Sequence, residues 1–364
     1  MKKIGIVTIN DNNNYGNRLQ NYALQNKLKE ISKYDVITIR NSEYTNRKES
    51  IIKQFLRILK KNYVQIRRNI PKERIALFKE FNKNIKMTKR NFYWFLDKKI
   101  EKKYDYFMVG SDQVWNAPVA RFSDVDLLTF APPHKRISYA ASFGVSELPD
   151  SFSVKGKENL SKFKAISVRE DLGKKIVKEL TQRDDIEVLI DPTMLLNSEE
   201  WDKVSKKPYQ LDMINGKKYI LNYFLGNLSE NRKNEIEQIA KENDCEIINI
   251  LDKNSPFYKT GPSEFLYLEK NAFLICTDSF HSCVFSILFD RPFVVFERED
   301  KNVKMNSRIE TLINKFKLKN RKFEGKITRE NLEHDYTEAY KILEREREKA
   351  NNFLKKALDI EEQN

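Results

Sequence analysis

Short, nearly unbroken apolar runs alternate along this chain with longer stretches in which apolar residues recur every three or four positions. The first pattern predicts buried strands and the second amphipathic helices. KIGIVTI opens as a strand, and a Gly/Asn-rich loop follows it. In NRLQNYALQNKLKEIS, residues Leu19, Ala23, Leu24, Leu28 and Ile31 form one helical stripe. DVITIR is the expected second strand. Helices are expected from about Glu49 to Arg68 and from Lys72 to Phe81. YDYFMVG, RISYAASFG, AISVRE and EVLID are further strands, with the helix DLGKKIVKEL between the last two. The pattern predicts one α/β domain over 1–196 with a largely parallel sheet and a helical insertion at about 45–103.

The second half repeats the logic. The strand KYILNYFLG ends at Gly226, and Ser229 is placed to cap the helix ENRKNEIEQIAKEN. CEIINIL, FLICTD and PFVVF are strands, separated by the helices SEFLYLEKN and FHSCVFSILF. Residues 197–218 are expected as a linker, 219–335 as the second domain, and 336–364 as a region dominated by a long charged helix. The expected class is α/β, with two doubly wound, Rossmann-like domains and a cleft between them. Ligands of such folds lie beyond the carboxyl ends of strands.

Composition narrows this picture. The chain has 364 residues, 40% hydrophobic and 33% charged, which suits a globular protein of more than one domain. No apolar run approaches the ~20 residues that span a bilayer, and the N-terminus has no signal-type cleavage pattern. A cytoplasmic location is expected. Cys245, Cys276 and Cys283 are odd in number and lie in apolar surroundings, so buried thiols are expected. Without a CxxC or HExxH pattern, no metal site is expected. The net charge of +14 sits almost wholly between Arg40 and Lys103, with about 20 Lys/Arg against about 6 Asp/Glu. That block points to an anionic partner for one region. In the helix at 49–68, Ile51, Ile52, Phe55, Leu56 and Leu59 share a face flanked by Lys53, Arg57, Lys60 and Lys61. Peripheral contact with an anionic membrane is one expectation for it, and an ordinary domain helix with a solvated basic side is the other. Nucleic acid is not expected, because Phe92, Tyr93 and Trp94 form the only compact aromatic cluster there.

Polar clusters follow the predicted strands: DNNNYGN, GSDQVWN, Arg169-Glu170, Asp191-Pro192-Thr193 and Thr277-Asp278-Ser279. Each also has a plain structural use, as a turn, a strand stop, a helix cap or an ion pair. GxGxxG and Walker patterns are missing, which disfavours dinucleotide or P-loop binding. His134 and His334 are expected on the surface. His281 stands apart. Asp278 or Ser279 can cap FHSCVFSILF, which places His281 in the first helical turn, where free N–H groups and the helix dipole favour an anion. A core histidine bonded to a carbonyl is the alternative.

The chain resembles the polysaccharide pyruvyltransferase family. The resemblance is carried, in order, by NYGNRLQNYALQ, VGSDQVWN, SYAASFG, ISVRE, DPTMLL, YFLG, TDSFHSCVFSILFDRPFVVF and NSRIETL. It implies a GT-B-like pair of domains, no metal and no cofactor. It also implies transfer of the pyruvyl group of phosphoenolpyruvate onto sugar hydroxyls as a ketal, in bacterial cell-surface polysaccharide synthesis. On this basis the donor is expected near Arg169 and His281, aided by Ser279 and Arg308. His281 is expected to carry one proton transfer, with Asp278 or Asp112 for another. Asn14, Tyr15, Asn17, Gln20, Ser111 and Asp112 are expected at the acceptor, whose linkage to lipid, nucleotide or polymer stays open. Two alternatives remain: a GT-B-type glycosyltransferase using a nucleotide sugar, and a non-catalytic module for anionic polymer.

Overall fold

The structure, a computed structural model, describes residues 1–10, 13–41, 70–89, 99–117, 122–145, 148–299 and 307–361. The basic helix expected at 49–68 lies outside them. In chain order the main elements are β1 (Lys3–Val7), α1 (Tyr15–Ser32), β2 (Asp35–Thr38), α2 (Lys72–Phe81), β3 (Tyr106–Asp112) and β4 (Arg136–Ala141). Then come α3 (Asp150–Leu160), β5 (Ala165–Val168), α4 (Asp171–Thr181), β6 (Glu187–Val188), α5 (Ser198–Asp202), β7 (Lys218–Tyr223) and α6 (Glu230–Glu242). The chain ends with β8 (Cys245–Asn249), α7 (Pro262–Asn271), β9 (Leu274–Thr277), α8 (Phe280–Leu288), β10 (Phe293–Val295), α9 (Ser307–Lys315) and α10 (Thr337–Ala357). The expected pair of parallel α/β sheets is present.

Strands in the middle of a parallel sheet are covered on both faces and read as continuous apolar runs. Every residue of β3 and β4 is buried accordingly. The first sheet has the order β2-β1-β3-β4-β5-β6, and all its pairs are parallel. The chain leaves β1 toward β2 on one side and then builds outward from β3 on the other. The connections therefore diverge beyond the carboxyl ends of β1 and β3, where such a sheet opens a crevice. α1 starts at Asn14, whose side chain accepts from Asn17 N at 3.2 Å, a cap worth ~1 kcal/mol. Its stripe of Leu19, Ala23, Leu24 and Leu28 is fully buried.

The second sheet has the order β10-β9-β7-β8, again all parallel. Here the connections diverge between β7 and β9. Right-handed crossovers then put α6 on one face and α7 with α8 on the other.

The chain divides into one unit of Met1–Pro71, Asn82–Leu195 and Glu346–Asn364, and another of Lys72–Phe81 with Leu196–Arg345. These limits differ from the expected boundaries in three places, each for a packing reason. α2, expected in the first domain's insertion, packs in the second unit: Arg74 Nη1 donates to Tyr258 O (2.9 Å) and Thr260 O (3.1 Å). The approach is close enough that a Cβ on Gly261 would lie 2.5 Å from Leu77 Cβ. The expected linker at 197–218 is folded into the second unit, where Trp201 is fully buried against Phe285, with ring centroids 5.1 Å apart. The last helix is shared. Tyr340 Oη donates to Ile287 O in the second unit (3.1 Å), whereas Arg347 Nε donates to Met194 O in the first (2.8 Å).

Candidate functional site

In the first unit the exits of β1 and β3 are tied together by Gln20 of α1. Its Oε1 accepts from Ser111 N (3.1 Å) and its Nε2 donates to Thr8 Oγ1 (2.8 Å). The β3 exit turns sharply. Gly110 has φ +118°, and a Cβ there would lie 2.3 Å from Tyr139 O, so a side chain has no room. Asp112 follows in the left-handed region with φ 65°.

This turn delivers the Asp112 carboxylate to Asn17 and Arg169. Asn17 Nδ2 donates to Oδ2, while Gln113 N (2.9 Å) and Arg169 Nη2 (3.2 Å) donate to Oδ1. The other arm of the guanidinium, Nη1, donates to Asp191 Oδ2 at 2.8 Å. Asp191 Oδ1 accepts from Thr193 N (3.0 Å) and Thr193 Oγ1 (2.7 Å), and Ser111 Oγ lies 2.9 Å from Oδ2. One arginine thus bridges two buried carboxylates, with side-chain exposures of 1% for Arg169, 0% for Asp191 and 9% for Asp112. Burial by itself would lower the Arg169 pKa, but Asp191, Asp112 and Glu170 outweigh it and raise it. The cation is held, and so are its partners.

In the second unit the β9–α8 turn is fastened in the same manner. Thr277 Oγ1 donates to Tyr223 O (2.7 Å) and accepts from Ser279 N (3.0 Å). Asp278 reaches back across the β7–β9 crevice, where Leu225 N donates to Oδ1 (2.6 Å) and Gly226 N to Oδ2 (2.8 Å). Arg298 Nε sits 3.1 Å from Oδ2. Ser279 occupies the N-cap position of α8 with extended backbone, yet makes no side-chain cap hydrogen bond. His281 lies in the first turn, 8% exposed and edge-on to Phe280 at 5.4 Å. Arg308, on α9, is equally buried.

Several sequence expectations are revised by these placements. Arg169 was expected at the donor, but each arm of its guanidinium is bonded to a carboxylate. Asp278 was expected as an acid, a base or a cap, but both oxygens hold the β7 exit. Asn14 serves as the cap of α1, Tyr15 is core at 1% exposure, and Gln20 and Ser111 are fully buried struts. Of the expected acceptor residues, Asn17 meets Asp112, and Gln20 meets Ser111. Arg298 was not singled out from the sequence, although it follows the apolar run PFVVF much as Arg169 follows AISV. Asp191 was named as a strand end, but not as the second anchor of Arg169. His134 is exposed, and His334 Nε2 is 3.3 Å from Asp290 Oδ1. Cys276 and Cys283 are buried, and burial raises both thiol pKa values. Cys245 is half-buried. Among the described residues no His, Cys, Asp or Glu cluster is arranged to hold a metal, and no helix is long and apolar enough to cross a membrane.

Comparison with solved structures finds UDP-GlcNAc 2-epimerase from Neisseria meningitidis at a TM-score of 0.49 and 13% identity, covering 99% of this chain and 98% of that one. UDP-N-acetylglucosamine 2-epimerase from Rickettsia bellii gives 0.49 and 11%, covering 99% and 97%. The enzyme from Methanocaldococcus jannaschii gives 0.45 and 16%, covering 94% and 99%. Comparison with curated protein sequences gives no match. The sequence profile of one family, polysaccharide pyruvyl transferase, matches residues 14–300. The matched span runs from the cap of α1 through the Asp112–Arg169–Asp191 bridge to the fastened turn before His281, and on this evidence the chain is a transferase belonging to the polysaccharide pyruvyl transferase family.

Proposed function

We propose that this enzyme moves the pyruvyl group of phosphoenolpyruvate onto two hydroxyls of a sugar, forming a cyclic ketal during synthesis of a bacterial cell-surface polysaccharide. The start of α8 carries the proposal. It is a nine-residue helix with no side-chain cap, immobilised by Asp278 and Thr277, with a histidine in its first turn. A helix start of this kind suits a phosphate or carboxylate oxygen. Arg298, 3.1 Å from Asp278, offsets that carboxylate's negative charge, so the turn does not repel an anion.

The chemistry asks for proton transfers at fixed places. The methylene carbon gains one proton, and carbon 2 is attacked by the first sugar oxygen. The carbon–oxygen bond to phosphate breaks, phosphate leaves with the other proton, and the second sugar oxygen closes the ketal. His281 is assigned one of these transfers. Asn17 and Asp112 are assigned to sugar hydroxyls, and Arg169 is assigned to hold Asp112 in place.

Incubation with phosphoenolpyruvate and a panel of saccharides tests the reading. Phosphate is expected as the released product. Release of a nucleotide from a sugar nucleotide, without phosphate from phosphoenolpyruvate, points instead to a glycosyltransferase. His281→Ala is expected to fold normally and to lower turnover by ~10²–10⁴-fold, the usual loss for an acid–base group. Near wild-type phosphate release by the folded variant removes the assignment.

A further inference from the structure

One buried acid of the second unit has no part in the chemistry above. Glu269, on α7, is fully buried, and so is Ser282, on α8. The two meet: Ser282 Oγ donates to Glu269 Oε1 at 2.6 Å, while Glu269 Oε2 is buried with no hydrogen-bond partner. A carboxyl in a core is a costly way to fill space, and a leucine or methionine would occupy the same volume without that cost. What the hydrogen bond adds to apolar packing is direction. Elsewhere α7 meets α8 through apolar groups, such as Phe265 against Phe285 with ring centroids 5.9 Å apart. Apolar burial is non-directional and leaves a helix freer to turn about its axis.

Ser282 follows His281 directly. Successive residues of a helix are turned by ~100° about its axis, so holding Ser282 against α7 sets the bearing of His281. Thr277 and Asp278 fasten the strand end before the helix, and Glu269 fastens the first turn itself. A turn of ~20° about the axis carries a side-chain tip ~6 Å from that axis through ~2 Å. A misplacement of ~1 Å can cost ~10²-fold in rate. Burial pushes the Glu269 carboxyl well above the ordinary 4.5, so it is uncharged at neutral pH. An uncharged group leaves the positive end of α8 to an anionic ligand, where a carboxylate would compete for it. We propose that Glu269 is a positioning residue for pyruvyl transfer: through Ser282 it holds the first turn of α8 at the angle from which the His281 imidazole meets the reacting atoms. This rests on the role assigned to His281 above.

The test combines kinetics with a spectroscopic signature of His281. The chain has three histidines, so isotope-labelled histidine in the full chain gives three imidazole resonances by NMR, and His281→Ala identifies the one that matters. Glu269→Gln keeps an acceptor for Ser282 Oγ and is expected to keep the wild-type His281 resonance, kcat and KM. Glu269→Leu and Ser282→Ala each remove the hydrogen bond. Each is expected to shift the His281 resonance and to lower the kcat of phosphate release by ~10–10²-fold, with the KM for phosphoenolpyruvate little changed. The double variant is expected to lose no more than either single one, because both act on the same bond. A carboxyl that serves stability alone predicts a lower Tm with unchanged kcat per folded molecule. A wild-type resonance and kcat in folded Ser282→Ala or Glu269→Leu overturns the proposal, and so does a Glu269→Gln impaired as far as Glu269→Leu. If the wild type releases no phosphate from phosphoenolpyruvate, the pyruvyl-transfer reading fails and the resonance alone decides: moved in both variants, it keeps Glu269 as the residue that positions His281. Phosphate release with an unmoved resonance and unchanged kcat in both keeps the pyruvyl-transfer reading and removes the positioning role.

Discussion

Replacing Arg169 by methionine keeps much of the side-chain length and deletes the charge that bridges Asp112 and Asp191. In the intact bridge the ion pairs are 3.2 and 2.8 Å long, and all three side chains are nearly or fully buried. Each pair at such range is worth ~4 kcal/mol at an effective dielectric of 20, but the cost of desolvating three charges cancels most of that gain. The variant keeps the cost and loses the compensation, and it leaves two carboxylates facing each other. Breaking a buried pair from one side typically costs ~3–5 kcal/mol, and the lower end applies if one carboxylate takes up a proton. Arg169→Lys, with one ammonium for two partners, is expected to fall between methionine and wild type. The assay is urea unfolding at neutral pH, followed by fluorescence of Trp115, which lies in the first unit and donates from Nε1 to Asp126 O at 2.9 Å. Trp94 and Trp201 are changed to Phe in the background so that Trp115 alone reports. A wild-type unfolding midpoint for Arg169→Met, together with a raised donor KM, refutes the reasoning. That pair of results means the guanidinium is free for substrate and the bridge contributes nothing.

Two further predictions concern the second unit. Trp201→Ala is expected to cost ~3–5 kcal/mol, as for a large aromatic removed from a core, whereas a linker tryptophan would cost almost nothing; thermal unfolding of the variant decides between them. Glu269 is fully buried, and burial pushes its carboxyl well above the ordinary 4.5, with the Ser282 hydrogen bond only partly opposing the shift. A raised folded-state pKa gives stability that is fully present below the unfolded value and is lost as pH climbs toward the folded one. Glu269→Gln removes that loss. It is expected to gain stability relative to wild type above about pH 4.5, by up to ~1.4 kcal/mol per pH unit, and to show no such gain below it. Parallel stability–pH curves for the two proteins count against the buried neutral carboxyl.

The sequence by itself determined the strands, most of the helices and where chemistry could be. Parallel strands covered on both faces are mostly apolar, so β3, β4 and β9 were legible as runs, and α1 as a stripe. Small polar residues stay inside such a sheet only when paired, as Ser138 and Ser167 are, and charged residues are costly there. They collect at its carboxyl edge, which is why Asp112, Arg169, Asp191 and Asp278 were all found there. What each of them does was decided only by the tertiary structure, because the partners are remote in the chain. Asp278 binds backbone N–H groups 53 and 52 residues away, Arg169 reaches Asp112 across 57 residues, and Gln20 meets Ser111 across 91. A strand-end carboxylate that will face a ligand and one that will tie two strand exits together have the same local sequence. The fold tells them apart by what it brings within hydrogen-bond reach. The same holds for Trp201, which its apparent linker hides and the packing against Phe285 reveals.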